Sequence, residues 1–412
     1  MPKVLRIINR FNLGGPTFNA AYLTKYLAPE FETKLVGGSK DDSEDSSEFI
    51  VRNLGIEPVI VPEMKRSINL KNDFTAYKKI YQIIKEFKPD IVHTHASKAG
   101  TLGRIAAIRL NVPVIVHTFH GHVFHSYFGS AKTLLYKTIE RYLSRKSTKI
   151  IAISELQKKE LSEIHKICPP DKIDVIPLGF DLDRFRENTE TKRIWFRKKF
   201  GLTQDTIAIG IIGRIVPIKN HSFFLSAIKN LKENTTKKFI AFIVGDGEDR
   251  IKLQNEAEAI GLSYSFEDCS NRFDLSLEPE PKHNNDVNII FTSWIREVDI
   301  VYAGLDIVAL TSYNEGTPVS LIEAQASSKP VISTNVGGIE NVVEHGVSGL
   351  LTGVSVSLFS KKLLSLVDNE EQRITFGRNG VKSVFAKYNY NRLVKEISAM
   401  YYKLLETKQK GD

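Results

Sequence analysis

Two cysteines, Cys168 and Cys269, are all that 412 residues contain. They are too few and too far apart in the chain for a disulfide framework, so the sequence suits a reducing compartment. Long apolar runs are also missing. A membrane-spanning helix needs roughly 18 to 20 uncharged apolar residues, and the best stretch, 298–310, carries Asp299 and Asp306. The opening MPKVLRIINRF has no apolar segment of signal-peptide length. These absences together predict a cytoplasmic protein. Disorder and fibrous repeats are excluded by the 42% of hydrophobic residues, which are ample for cores in two to four domains. No internal repeat stands out beyond an alternation of β and α segments.

Charge of one sign is only slightly in excess: 57 Lys and Arg against 48 Asp and Glu, a net +9. Nucleic-acid binders concentrate such charge in one stripe with interleaved aromatics. Here the basic residues are spread along the chain, which argues against nucleic acid as a partner. Two local enrichments remain, 65–88 and 132–149. In the first, Tyr77, Ile80, Tyr81, Ile84 and Phe87 recur at three- and four-residue spacing and predict one core-facing helix side, with Lys78, Lys79, Lys85 and Lys88 off its centre. The basic side suits solvent or, as a sharper alternative, the anionic headgroups of a membrane surface.

Short β-branched runs alternate with amphipathic segments, the pattern of parallel sheets covered by helices. The first half predicts strands at 4–8, 33–36, 59–61, 91–93, 114–118, 149–153 and 174–176, with helices near 18–28, 45–54, 72–87, 99–110, 131–146 and 154–165. The polar, turn-rich segment 177–191 reads as a linker. A second series follows, with strands near 207–212, 239–244, 289–292, 307–309 and 330–333 and helices near 221–232, 248–260, 296–303, 317–328, 338–344 and 356–367. A tail helix at 388–408 places Leu393, Ile397, Tyr401 and Leu404 on one face. The fold class is α/β: two doubly wound parallel-sheet domains. Ligands of such sheets bind beyond the carboxyl ends of the strands.

Several loops at those ends carry chemistry. Gly14-Gly15-Pro16-Thr17 follows the first strand and frees backbone amides for a phosphate. It is neither a dinucleotide fingerprint nor a Gly-Lys-Ser/Thr phosphate loop. Gly213-Arg214-Ile215-Val216-Pro217-Ile218-Lys219 sets a guanidinium and an ammonium just before a helix, a pair suited to a diphosphate, although ordinary surface charge has the same pattern. Gly245-Asp246-Gly247-Glu248 reads as turn chemistry. In Tyr313-Asn314-Glu315-Gly316-Thr317-Pro318-Val319, Thr317 suits an N-cap and Pro318 the first helical position, so free amides follow directly after Glu315. Glu323 lies in an otherwise apolar run and is costly there unless it accepts hydrogen bonds; a ligand diol supplies them.

Histidines crowd two strand ends: His93 and His95, then His117, His120, His122 and His125. Neither a shared helix face nor adjacent acidic or thiol ligands complete a metal spacing. A single hydrogen-bonding or catalytic histidine is the better reading, and no metal is expected.

The ordered set Gly14-Gly15, Phe119-His120, Gly213-Arg214 with Lys219, Glu315 with Glu323, and the downstream PVISTNVGGIENVVEHGVSGLL resembles the retaining glycosyltransferases of family 4, which have the GT-B fold. The resemblance covers nearly the whole chain and is most specific over 313–351. It implies two Rossmann-like domains facing a central cleft. Residues 1–180, with the crossover helix at about 388–408, would bind the acceptor, and 190–385 the nucleotide-sugar donor, commonly a UDP-sugar. By the same resemblance Arg214 and Lys219 would neutralise the donor diphosphate, Glu323 would hold the ribose hydroxyls and Glu315 would face the sugar. The amides of Gly316, Thr317 and Val319 would contact sugar or phosphate. Gly14 and Gly15 would close over the diphosphate, and His120 would stand near the sugar's C6 hydroxyl. No metal or other cofactor is implied. The implied activity is transfer of a hexosyl or N-acetylhexosaminyl group to a saccharide or lipid-linked acceptor in cell-surface polysaccharide or lipopolysaccharide synthesis, by an enzyme peripheral to the inner face of the membrane. A non-transferase of the same fold is the alternative. UDP-sugar epimerases, however, lack this spacing of the two glutamates, and phosphorylases need a pyridoxal lysine. The chain departs from the family pattern at Leu178, where Asn is frequent, at Asn220, where Gly is common, and at 263–287, an acidic insertion that reads as a surface excursion.

Overall fold

The computed structural model describes residues 1–11, 15–39, 48–65, 67–120, 130–269, 273–280 and 287–409. Two units divide the chain: Met1–Phe180 with Lys387–Asp412, and Asp181–Ala386.

The first unit is built on seven parallel strands, β1 (Lys3–Arg10), β2 (Glu32–Gly38), β3 (Val59–Ile60), β4 (Ile91–His95), β5 (Val114–Thr118), β6 (Lys149–Ala152) and β7 (Ile173–Val175). Their order is β3-β2-β1-β4-β5-β6-β7. β4 and β5 are buried at every position, as parallel strands covered on both faces must be. The helix Leu70–Phe87 buries Ala76, Ile80, Ile84 and Phe87, the side that the apolar spacing predicts. Asn69 caps it by accepting from the Asn72 amide at 3.1 Å. The helix Ser130–Lys146 is tied to the helix Ser97–Arg109 by a buried pair, Arg104 Nη2 to Glu140 Oε2 at 2.6 Å. The C-terminal helix Tyr390–Gln409 also belongs to this unit. Its stripe of Leu393, Ile397, Met400 and Tyr401 joins Val4, Leu23, Ile91, Val114 and Val116 in one apolar cluster.

The second unit repeats the plan with β8 (Ile207–Ile212), β9 (Phe239–Val244), β10 (Tyr264–Glu267), β11 (Ile289–Thr292), β12 (Ile307–Leu310), β13 (Val331–Thr334) and β14 (Gly349–Thr352), ordered β10-β11-β9-β8-β12-β13-β14. The chain is thus α/β with two doubly wound parallel sheets, as its sequence predicts.

Several local expectations are corrected. The segment 263–287 is not simply an excursion: its start is edge strand β10, paired in parallel with β11. Farther on, Trp195 Nε1 donates to the Leu277 carbonyl at 2.9 Å and the Trp195 and Phe273 rings lie 4.8 Å apart, docking the insertion on the helix Thr189–Lys199. That helix starts inside the expected linker. The linker itself is anchored, with Leu178, Phe180, Leu182 and Phe185 all buried, so its polar composition hides four apolar anchors. The helix Glu370–Tyr388 and strand β14 were not anticipated, and the expected helix at 338–344 is a single turn, Ile339–Asn341. Among the described residues no helix is long and apolar enough to cross a membrane.

Candidate active site

In the second unit the strand order reverses at β8. Its chain-neighbour β9 lies on one side and β12 on the other, so the loops leaving β8 and β12 flank the crevice where open α/β sheets take ligands. The β8 loop carries Arg214 and Lys219, and the β12 loop carries Glu315. Lys219 Nζ lies 2.6 Å from Glu315 Oε1, and Ser312 Oγ donates to the same oxygen at 2.6 Å. A charge-assisted pair thus bridges the switch point. Arg214 is exposed and has no ion pair among the described residues.

The backbone around these residues is locked by the neighbouring loops. Thr311 Oγ1 donates to the Lys219 and Asn220 carbonyls at 3.2 and 3.0 Å, and the Tyr313 amide donates to the Ile218 carbonyl at 2.9 Å. Asn220 has φ 52°, in the left-handed region, which Asn tolerates better than other residues with side chains. That accounts for Asn where the family pattern favours Gly. The Gly245-Asp246-Gly247 turn braces the same loop. Ile215 N donates to the Asp246 carbonyl at 2.9 Å, and a Cβ at Gly247 would lie 2.1 Å from the Ile215 carbonyl oxygen. On the other side, the Gly338 amide donates to the Glu315 carbonyl at 2.8 Å, and a Cβ on Gly337 would stand 2.1 Å from that oxygen. Both glycine pairs therefore act as backbone-to-backbone packing for the charged loops. The GG of the downstream motif was the sequence signal for one of them; the other read only as a turn.

The helix after Glu315 begins one residue later than expected. Pro318, at φ −75° and ψ 90°, is the cap and Val319 the first helical residue, with no side-chain cap from Thr317. The extended ψ at Pro318 keeps Thr317 outside the helix. The Leu321 amide already bonds to the Pro318 carbonyl at 3.1 Å, so the first amides, from Val319 onward, are the ones at the helix end, with Gly316 and Thr317 in the preceding loop.

Glu323 lies in this helix with its side chain 16% exposed. Tyr302 Oη donates to its Oε2 at 3.2 Å, and Arg184 Nη2 stands 3.7 Å from Oε1. Burial raises the Glu323 carboxyl above the usual carboxylate range, opposed first by the Arg184 charge and then by the Tyr302 hydrogen bond. Arg184 is a site neighbour that sequence reasoning missed; it lay in the segment read as linker.

In the first unit Gly15 opens the helix Gly15–Tyr26, directly after β1 at that sheet's own switch point between β1 and β4. Gly14, His122 and His125 lie outside the described residues. His120 follows β5, and its Nε2 is 2.9 Å from His95 Nδ1. His93 bridges Tyr401 Oη at 2.6 Å and Thr118 Oγ1 at 2.7 Å, while His117 Nδ1 meets Thr94 Oγ1 at 2.8 Å. Burial drives all four imidazoles down, His120 to about 3, so they are neutral at pH 7. In the His95–His120 contact one ring must donate and the other accept, which couples their tautomers. The Nδ1 of His120 is buried without a hydrogen-bond partner.

Residues 13–184 match the family model described as Glycosyltransferase Family 4, and residues 206–369 the one described as Glycosyl transferases group 1. The UDP-Gal:alpha-D-GlcNAc-diphosphoundecaprenol alpha-1,3-galactosyltransferase of Escherichia coli is 30% identical over 355 residues, 86% of this chain and 85% of the relative. The capsular polysaccharide biosynthesis glycosyltransferase CapM of Staphylococcus aureus is 27% identical, over 84% of this chain and 85% of its own length. Among solved structures, Anabaena HepE in complex with UDP superimposes with a TM-score of 0.75 at 18% identity, over 97% of this chain and 100% of that one. The lipopolysaccharide-biosynthesis glycosyltransferase WaaG superimposes at 0.65 and 17% identity, over 95% and 98%.

Proposed function

This chain belongs to glycosyltransferase family 4 and has the GT-B fold, and on that premise we propose that it is a retaining transferase moving a hexosyl or N-acetylhexosaminyl group from a UDP-sugar to a saccharide or lipid-linked acceptor. The observation that carries the reading is the Lys219–Glu315 pair across the β8/β12 switch point, beside the start of the helix Val319–Ala326. In this reading the second unit takes the donor. Arg214 and Lys219 face the diphosphate, whose negative charge grows as the anomeric bond breaks, together with the amides of Gly316, Thr317 and Val319. Glu315, held by Lys219 and Ser312, accepts from sugar hydroxyls, and Glu323 accepts from the ribose diol. Neither carboxylate serves as nucleophile: the acceptor attacks from the face of departure and gives its proton to the leaving phosphate, so the paired-carboxylate logic of glycoside hydrolysis does not apply. The first unit takes the acceptor. In this unit neutral His120, with its unpartnered Nδ1, is the proposed hydrogen-bonding group for a sugar hydroxyl. The chemistry needs no metal or cofactor in this reading.

Support for the donor class comes from the UDP in the HepE complex and the UDP-Gal in the name of the E. coli relative. Relatives named for diphosphoundecaprenol and capsular polysaccharide support a lipid-linked or polysaccharide acceptor. A peripheral position at an anionic membrane surface fits the exposed Ile68, Leu70 and Phe74 beside Lys65, Lys71 and Lys78, and the exposed Leu134, Leu135 and Tyr142 on the basic helix Ser130–Lys146. Vesicles rich in anionic lipid should sediment the protein at low salt and release it at high salt; failure to bind at low salt rules the position out.

A thermal-shift panel of nucleotides and nucleotide sugars tests the donor. The cognate compound at 100 times its Kd adds about 2.7 kcal/mol of stability. If UDP and every UDP-sugar leave the melting temperature unchanged, the donor assignment fails.

A further inference from the structure

Arg184 stands beside Glu323 in a position fixed by its neighbours. It lies in the short turn Asp183–Phe185 that opens the second unit. Phe185 is buried and meets the ring of Tyr302 edge-on at 5.7 Å. The Arg184 carbonyl accepts from Lys192 Nζ at 2.7 Å, and Lys192 is itself paired with Asp299 at 2.9 Å. The backbone on either side of the arginine is thus fixed by a ring and by an ion pair. The guanidinium rests over the Phe185 face, 4.7 Å from its centroid, and turns Nη2 toward Glu323.

The contact with Glu323 is open. At 3.7 Å, Nη2 to Oε1 is an ion pair and not a hydrogen bond, and Arg184 Nε is buried without a partner. Oε2 already accepts from Tyr302. Oε1 has therefore gained a compensating charge while keeping room for a further donor. A carboxylate with one oxygen partly satisfied and the other charge-balanced but free is suited to a vicinal diol.

We infer that Arg184 is a positioning residue for nucleoside recognition: its guanidinium balances and orients the buried Glu323 carboxylate, leaving Oε1 open to a ribose hydroxyl. This rests on the reading of Glu323 as the ribose carboxylate. Three charged or titratable groups act on Glu323, namely Arg184 from the turn and Tyr302 and Asp299 from the helix Val298–Gly304, and Asp299 is itself paired with Lys192 of the helix Thr189–Lys199. Arg184 is the one full positive charge directly on the carboxylate among the described residues. Without it, burial and Asp299 act on the carboxyl unopposed by that charge and move it further above the usual carboxylate range, so a larger share is protonated as pH falls. A protonated Glu323 loses acceptor capacity toward the diol.

Titration of UDP and of 2′,3′-dideoxy-UDP into the full-length protein across pH 5.5 to 8.5 tests this. The parent should favour UDP over the dideoxy compound. Arg184→Gln should bind UDP more weakly than the parent, most of all at the acid end, where the carboxylate without its compensating charge is protonated first. The loss should narrow toward pH 8.5, and preference over the dideoxy compound should shrink. Arg184→Lys should restore much of both. A UDP affinity and pH profile in Arg184→Gln that overlay the parent's overturn the inference. Glu323→Gln separates the two levels. If it binds UDP as the parent does, the ribose assignment falls and the inference with it; if it is weakened while Arg184→Gln is not, only the role of Arg184 falls.

Discussion

Lys219 and Glu315 satisfy one another in this structure, 2.6 Å apart and only 25% and 11% exposed, so removing either leaves a largely buried charge unpaired. Truncating one member of such a pair is more damaging than its net contribution suggests. Lys219→Ala is expected to lower kcat for transfer by about 10²- to 10³-fold, the scale of losing one preorganised donor to developing charge, and Glu315→Ala is expected to lower it as well, by removing the acceptor for the sugar hydroxyls and leaving Lys219 unpaired. Initial rates at saturating donor check this, with the melting temperature as the control for folding. Gly337 is the second residue-scale test. Its φ of 55° disfavours any side chain, and a Cβ would stand 2.1 Å from the Glu315 carbonyl oxygen. Gly337→Ala should lose at least about 2 kcal/mol of stability from the left-handed strain and overpacking together, and should weaken UDP binding by displacing the Glu315 loop. Calorimetry and UDP titration measure the two effects separately. At this scale the sequence showed residue types in loops, and the charged residues it singled out on the β8 and β12 loops do share one crevice. It could not show which would be partners: Lys219 and Glu315 were read in different roles, and Arg184 was hidden because ion pairs form across elements that are distant in the chain.

The strands were the legible elements, since fully buried parallel strands are nearly continuous β-branched runs, as β8 (IAIGII) and β9 (FIAFIV) show. Amphipathic helices such as Leu70–Phe87 were equally plain. Elements went unnoticed where composition and context disagreed. β10 (YSFE) is a half-exposed edge strand, buried only at Glu267, and so has no apolar run. The helix Thr189–Lys199 is rich in charge because Lys192, Arg193 and Arg197 reach half-buried acidic partners, the arginines both pairing with Asp306. The C-terminal helix makes the element-scale prediction. Leu393 and Ile397 are 1% exposed in the cluster beneath β1, β4 and β5, and truncation of either to Ala should cost about 2 to 5 kcal/mol. Tyr401→Phe removes only the hydroxyl but leaves buried His93 Nδ1 without its 2.6 Å partner, at a cost of about 1 to 3 kcal/mol. Denaturant titration of the three variants gives these values, and Tyr401→Phe behaving as the parent does would mean that the hydroxyl is idle.

For the molecule as a whole, the buried histidines set an acid limit. His93, His95, His117 and His120 are neutral in the folded state because burial lowers their pKa values, His120 to about 3. Unfolded histidines titrate near 6.5. The unfolded chain therefore binds more protons than the folded chain below about pH 6.5, and stability falls as pH drops through that value toward the folded pKa values. Melting temperatures should hold between pH 7 and 8 and decline steadily from pH 6 to 4. A flat profile over that range would contradict the neutral, buried cluster.

Donor-sugar transfer carried by the β8 and β12 loops is tested most directly by acceptor-dependent release of UDP from a panel of UDP-hexoses and UDP-N-acetylhexosamines, with a lipid-linked saccharide as acceptor. One donor should give UDP and glycosylated acceptor in equal amounts, and the Lys219→Ala and Glu315→Ala variants should release little of either. Release of UDP at parental rates by both variants, or turnover of no UDP-sugar by the parent, would contradict it.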